Sequence, residues 1–273
     1  MRRARFNVAY DGAHYSGFAE QVGVRTVMGD LREAIERIHQ QPIEMHGAGR
    51  TDAGVHGWGQ VVSLDLPEGA NLEGVQRRIN RICGRGLAVR EIQWADDPHF
   101  HARYSAVYRH YRYHVLNARE PNPFVVNSAW HITKPLHVPS MVLACDPLIG
   151  EHDFATFCRR PPHGEDETPR SLARRVFRAE WKTVRVETTE LLRFEIRANA
   201  FCHQMVRSIV GTLVDVGLGK LSAGDMRSIL MQRDRQTAGQ VAPPHGLVLW
   251  EVGYPDGQSG RAVDVRPRSP AAP

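Results

Sequence analysis

Lysine is nearly missing: Lys134, Lys182 and Lys220 stand against 32 arginines in 273 residues. The formal charge of +5 and the pI near 9.2 therefore rest on arginine, and they suit a polyanionic partner. Genomic codon bias would leave the same imprint, so the arginine excess alone identifies no ligand. Cysteine is sparse too. Cys83, Cys145, Cys158 and Cys202 are scattered, with no Cys-x-x-Cys pair. That argues against a zinc ribbon and a disulfide framework, and the expected state is four reduced, buried thiols. No apolar run approaches the ~20 residues of a membrane span, and Met1-Arg2-Arg3-Ala4-Arg5 has no signal-peptide core. A cytoplasmic protein is expected. Neither a P-loop nor a Rossmann fingerprint occurs. The histidines His99, His101, His152 and His203 lack zinc-site spacing, and no deaminase signature accompanies them. No metal and no cofactor are expected.

What is present centres on 46–60, His-Gly-Ala-Gly-Arg-Thr-Asp-Ala-Gly-Val-His-Gly-Trp-Gly-Gln. Its glycines leave the backbone bare to a bulky ligand. Into that stretch are set one cation, Arg50, and one carboxylate, Asp52. In an extended segment the two point to the same face, where Arg50 would orient Asp52 and keep it ionised. Such a carboxylate serves as nucleophile, base or ligand. Asp-Ala-Gly is equally ordinary turn chemistry, and the triplet alone does not choose.

The rest of the pattern is mixed. Strands are predicted over 5–10, 43–47, 61–66, 87–94 and 246–252, with a long aromatic and basic strand over 100–116. A hairpin is expected over 172–187 and 191–198. Thr26 caps a helix running to His39, with Gly29 a weak point in its first turn. Asn71 caps another with Leu72, Val75, Ile79 and Ile82 as its stripe, and Arg77, Arg78 and Arg81 between them. Further helices are read over 140–148, bent or ended by Pro147, over 203–217, and after a Ser222 cap. Residues 159–170 read as a mobile loop. The fold class is α+β: two similar α/β halves, 1–104 and 105–255, followed by a disordered polar tail, 256–273.

Gly-Ala-Gly-Arg-Thr-Asp-Ala-Gly-Val-His, 47–56, resembles the active-site motif of the tRNA pseudouridine synthase A family. Further blocks agree in order: Tyr10-Asp11-Gly12, Phe100-His101-Ala102-Arg103, Tyr111-Arg112-Tyr113, Gly150-Glu151-His152-Asp153-Phe154, 198–211 and Ala242-Pro243-Pro244. Departures fall at Phe18-Ala19, where the family usually has Trp-Gln, and at Met28-Gly29. The resemblance implies antiparallel sheets joined across a central active-site cleft, a homodimer, and conversion of uridine to pseudouridine at positions 38, 39 and 40 of the tRNA anticodon stem-loop. It implies Asp52 as nucleophile and Arg50 as its neighbour. It implies Tyr111 stacking on the base and accepting the C5 proton.

Read from the residues alone, Tyr111 is a half-buried strand aromatic. Arg207 is the only Arg or Lys in its apolar helix, near an N-terminus that disfavours positive charge. It needs an anion, either Asp52 or an RNA phosphate, unless it snorkels to solvent. His56 is a substrate-side residue or a loop former. Arg77, Arg78 and Arg81 are candidate phosphate contacts. A non-catalytic RNA-binding protein and a synthase for a different RNA site remain alternatives on this evidence.

Overall fold

The computed structural model describes residues 1–159 and 171–255; all but Arg159 of the loop expected over 159–170, and the tail expected over 256–273, lie outside the described residues. The chain runs β1 (Arg2–Tyr10), α1 (Val27–His39), β2 (Met45–Gly47), β3 (His56–Leu66), α2 (Leu72–Cys83), β4 (Leu87–Trp94), β5 (Tyr108–Asn117), β6 (Trp130–Ile132), α3 (Val138–Leu143), β7 (Gly150–Asp153), β8 (Ala173–Val186), β9 (Thr189–Ala198), α4 (Met205–Gly217), α5 (Asp225–Gln232) and β10 (Leu247–Gly253). One 10-stranded sheet has the order β4-β1-β3-β10-β5-β9-β8-β7, with β2 on β3 and β6 on β5. Its neighbours are antiparallel except at β3–β10 and β5–β6. The last strand to be made thus inserts at the centre and joins the early strands to the late ones.

Most predicted elements form for the expected reasons. The Thr26 hydroxyl accepts from the Gly29 N–H, and the Asn71 side chain from the Gly74 N–H. Gly29 suits its place, since a Cβ there would crowd the Thr26 hydroxyl that caps the helix. In α2 the buried row is Val75, Ile79 and Cys83; Ile82 turns outward, because i, i+4 spacing carries the stripe to 83. Ser222 does not cap α5. The polarity is reversed: the Asp225 carboxylate accepts from the Ser222 N–H at 2.7 Å. Pro147 opens a short 3-10 turn beyond the end of α3.

The long strand expected over 100–116 begins only at Tyr108. Residues before it form turns: Ser105 N–H bonds His101 carbonyl, and Ala102 is buried with its N–H on Ser63 Oγ at 3.1 Å. Residue composition favoured a strand there, but tertiary contacts folded the segment back over the sheet. Cys158 and Cys202 also correct the reading of four reduced thiols: they are bonded as a disulfide, Cα atoms 5.7 Å apart. Cys83 and Cys145 are free and buried.

Cross-strand register sets Tyr10 opposite Gly57, Gly57 beside Leu249, Leu249 opposite Tyr111, and Tyr111 opposite Ile196. Partners in register share a face, so this row marks one side of the sheet across five strands. Tyr10 packs in the cluster with α1 and α2, and Tyr111 in the cluster with α3, α4 and α5. Both helix groups therefore dress the same face. Opposite them, β5 and β9 place buried Glu195 among Arg193 (2.9 Å), Arg112 (3.2 Å) and His110 (3.5 Å). Nearby Trp58 and Trp250 stack, with Arg112 over Trp250 at 3.6 Å.

The His110 ring 3.5 Å away, with the Arg112 and Arg193 charges, holds the Glu195 carboxyl down at about 2. A carboxylate depressed by folding stabilises the native state above its unfolded pKa. That contribution should drain away as the pH falls from about 4.5 to about 2. Glu195→Gln takes the buried anion away from Arg112 and Arg193 and leaves His110 with Glu251 alone, at 3.8 Å, a loss that typically costs ~3–5 kcal/mol. Denaturant titrations at neutral pH should show a large drop in stability for the variant, and acid titration should show that this step has gone; equal stability would refute the assignment.

Candidate active site

The Asp52 stretch is a loop between β2 and β3, not the extended segment expected. Val55 N–H closes a turn on the Asp52 carbonyl, and Gly54 adopts φ +78°. Three anchors fix this loop. Gln60 Nε2 donates to the Gly49 carbonyl at 2.8 Å, Phe18 N–H donates to the Thr51 carbonyl at 3.1 Å, and the Thr51 and Tyr10 hydroxyls bond at 2.9 Å. Phe18 is buried, and its ring lies where a Cβ on Gly47 would be. The Phe18 departure from the family pattern therefore still fills the space beneath the loop. Met28 is buried alongside and donates its N–H to the Phe18 carbonyl.

Asp52 faces α4. Arg207 Nη1 donates to Asp52 Oδ2 at 2.9 Å, and His203 Nε2 stands 3.4 Å from Oδ1. Arg207 Nε donates to the Ala242 carbonyl at 2.8 Å, so three distant motifs meet on one guanidinium. The 240–242 segment can lie this close to α4 because Gly211 has no Cβ; one would sit on the Gln240 carbonyl oxygen. Of the two anions considered for Arg207, the structure supplies Asp52. The side chains are 14% and 27% exposed, which makes this a partly desolvated pair.

Arg50 does not play the part expected of it. It is exposed and makes no ion pair among the described residues, because the loop turns instead of running extended. The cation beside Asp52 comes from residue 207, which two-residue spacing could not reveal.

Tyr111 lies on β5 under this site. It is 8% exposed and meets Phe201 edge-on at 5.0 Å. Burial raises its hydroxyl to about 12, with the Arg109 charge opposing and the Asp52 charge adding to the rise. It is therefore a neutral phenol within electrostatic reach of the carboxylate. Arg109 ties neighbouring segments together through the Ala48 and Asn199 carbonyls, both at 3.0 Å.

His56 has both ring nitrogens engaged. Nδ1 accepts from Gly12 N–H at 3.1 Å and lies 3.1 Å from Asp11 Oδ1, while Nε2 reaches the Asn127 and His245 carbonyls. Those contacts make it a fastener of the loop. Arg77, Arg78 and Arg81 are exposed on α2, which packs against the edge strand β4, and they are not gathered at Asp52. Arg77 instead pairs with Glu73 at 3.6 Å. His203 and Phe201 were present within a quoted sequence block, yet no spacing rule singled them out for this site. Among the described residues no group of three or more His, Cys, Asp or Glu is set to hold a metal ion.

Because Asp52 and Arg207 touch, their removal should not be additive. In a double-mutant cycle of Asp52→Ala and Arg207→Ala, chemical denaturation should show a coupling well above ~0.5 kcal/mol. Additive losses would mean that the pair contributes nothing to the fold.

Comparison with known proteins agrees with this geometry. The profile described as tRNA pseudouridine synthase matches residues 7–105 and 144–255. The chain is 38% identical over 254 residues to tRNA pseudouridine synthase A of Bacillus velezensis, covering 92% of this chain and 99% of that one. It is 37% identical over 254 residues to the protein of that name from Bacillus subtilis, with the same coverage. The Geobacillus kaustophilus protein is 39% identical over 257 residues, covering 93% and 95%. With the signature blocks folded around a single carboxylate and the match running through both parts of the sheet, the chain belongs to the tRNA pseudouridine synthase family.

Proposed function

We propose that this chain converts uridine to pseudouridine at positions 38, 39 and 40 of the tRNA anticodon stem-loop, with Asp52 as the nucleophile. The observation that carries this reading is Asp52 itself: one carboxylate on a turn, aimed by Arg207 at 2.9 Å, with a buried tyrosine beneath it. Flipping a stacked uridine costs a few kcal/mol, and a stacking ring plus arginine–phosphate contacts offset that. Tyr111 offers the ring. The N1–C1′ bond breaks, the base turns over, C5 bonds to C1′, and the C5 proton leaves as N1 gains one. The sum is an isomerisation, so no redox partner enters.

The roles divide by geometry. Arg207 holds the carboxylate pointed through its hydrogen bond to one oxygen, and His203 flanks the other. Tyr111, held neutral by burial, stacks on the base, and its hydroxyl oxygen takes the C5 proton as its own hydrogen passes to solvent, which returns a proton to N1. Arg50, exposed at the loop rim, meets the RNA backbone; Arg77, Arg78 and Arg81 meet more distant phosphates. His56 keeps the loop in place at the substrate. We assign the work to a cytoplasmic homodimer whose chains are organised as halves 1–104 and 105–255.

Asp52→Asn should abolish pseudouridine formation while leaving tRNA affinity within a few-fold, because the phosphate contacts survive. Tritium release from 5-tritiated uridine in tRNA measures the first, and filter binding the second. Substantial turnover by Asp52→Ala would overturn the assignment. Mapping pseudouridine in tRNA from cells with and without the gene tests the positions.

Binding should weaken with salt at a slope of roughly −0.7 to −0.9 per phosphate contact. Replacing Arg77, Arg78 and Arg81 together should flatten the slope; an unchanged slope would place the RNA on another face.

A further inference from the structure

Beside the Asp52 site lies a cavity of about 370 Å³ lined by Ala155, Cys158, Arg159, Gln204, Arg233 and Arg235. Three of six lining residues are arginines. Arg233 shares the Asp153 carboxylate at 3.3 Å, and Arg235 donates to Ser208 Oγ at 3.2 Å. The Arg159 side chain has no partner among the described residues. Among the described residues, one carboxylate thus serves three guanidinium groups. Like charges gathered around a space are unfavourable until an anion enters, and forked guanidinium donors match the oxygens of a phosphate.

The cavity lies one residue along the chain from His203, which flanks the Asp52 carboxylate. Gln204 follows His203, whose ring nitrogen is 3.4 Å from Asp52, and precedes Arg207 by three residues. On the opposite wall, Arg159 N–H donates to the His203 carbonyl at 2.9 Å, and the Cys158–Cys202 bond ties the same two segments. Among the described residues no aromatic ring lines the cavity. A flipped nucleotide, however, must leave backbone phosphate immediately to either side of itself.

We propose that this cavity is a subsite for the phosphodiester of a nucleotide adjacent to the target uridine, gripped by Arg159 and Arg233, with Arg235 completing the positive wall. The subsite rests on the reading of Asp52 as the reacting group. It holds the strand where the flipped uridine leaves the stack, and it acts on binding and registration of the RNA rather than on bond breaking.

The test uses the full chain, Arg159→Ala, Arg233→Ala and the double variant, with an anticodon stem-loop RNA carrying single methylphosphonates at phosphates flanking the target. Arg235 is spared because it also holds Ser208. Both chosen arginines are exposed at the surface, so their loss should leave the melting temperature unchanged. Loss of a charge-assisted hydrogen bond is worth about tenfold, so each single variant should raise KM by about that factor. At saturating RNA, kcat should stay within a few-fold. The slope of log affinity against log salt should become shallower by ~0.7 per arginine. One neutralised phosphate should weaken wild-type binding and have no further effect on the double variant.

Unchanged KM and slope would overturn the subsite, as would methylphosphonate effects that are identical in wild type and double variant. Inorganic phosphate competing at millimolar concentration, with no phosphate position sensitive, would show a site for a free anion and overturn it too. Binding is measured without reference to turnover. A chain that binds RNA as described but leaves uridine unchanged would refute the catalytic reading alone, and one that makes pseudouridine with affinity indifferent to Arg159 and Arg233 would refute the subsite alone.

Discussion

The contact between Asp52 and Arg207 is the constraint that the rest of the site serves. A cation in the first turn of an apolar helix opposes the helix dipole, and a carboxylate in a glycine-rich loop opposite a core is costly to desolvate. Each removes the other's difficulty. They lie 155 residues apart, so the pair forms only when the loop before β3 and the start of α4 are brought together. The Ala242 carbonyl, pressed in over Gly211, is the third support. Charge, helix terminus and bare backbone are thus parts of a single arrangement.

The sheet makes that arrangement possible. Because β10 enters between β3 and β5, the early strands and the late strands share one ladder of hydrogen bonds. The row Tyr10, Gly57, Leu249, Tyr111 then runs beneath the site, with helices to either side on the same face. A carboxylate placed above that row has a rigid floor, and the aromatic ring of Tyr111 is part of it. Rigidity matters for a reaction whose substrate must be turned over in place, since catalysis by positioning fails when the reacting groups drift.

The opposite face solves a different problem. Glu195 is buried, and it survives there because arginines and a histidine from its own strand and the next supply its partners. The stacked Trp58 and Trp250, with guanidinium groups laid on them, bury apolar area under charge. Arginine does this where lysine would not, since its planar, weakly hydrated head stacks as well as bonds. Some of the arginine bias thus has a structural use, whatever its origin.

Local sequence determined a good deal. The Thr26 and Asn71 caps, the helices α1 and α4, and the hairpin of β8 and β9 were legible because they depend on neighbours within a few residues. The need of Arg207 for an anion was legible from its helix alone. What tertiary structure decided depends on long-range contacts. It chose Asp52 as that anion and left Arg50 at the rim, because the loop closes as a turn. It folded 100–107 off the strand that their composition favoured, since Ala102 finds a buried bond to Ser63. It also joined Cys158 to Cys202 and set His203 beside Asp52. Propensity and spacing report on one segment at a time, whereas an ion pair across 155 residues exists only once the sheet has set both ends in place.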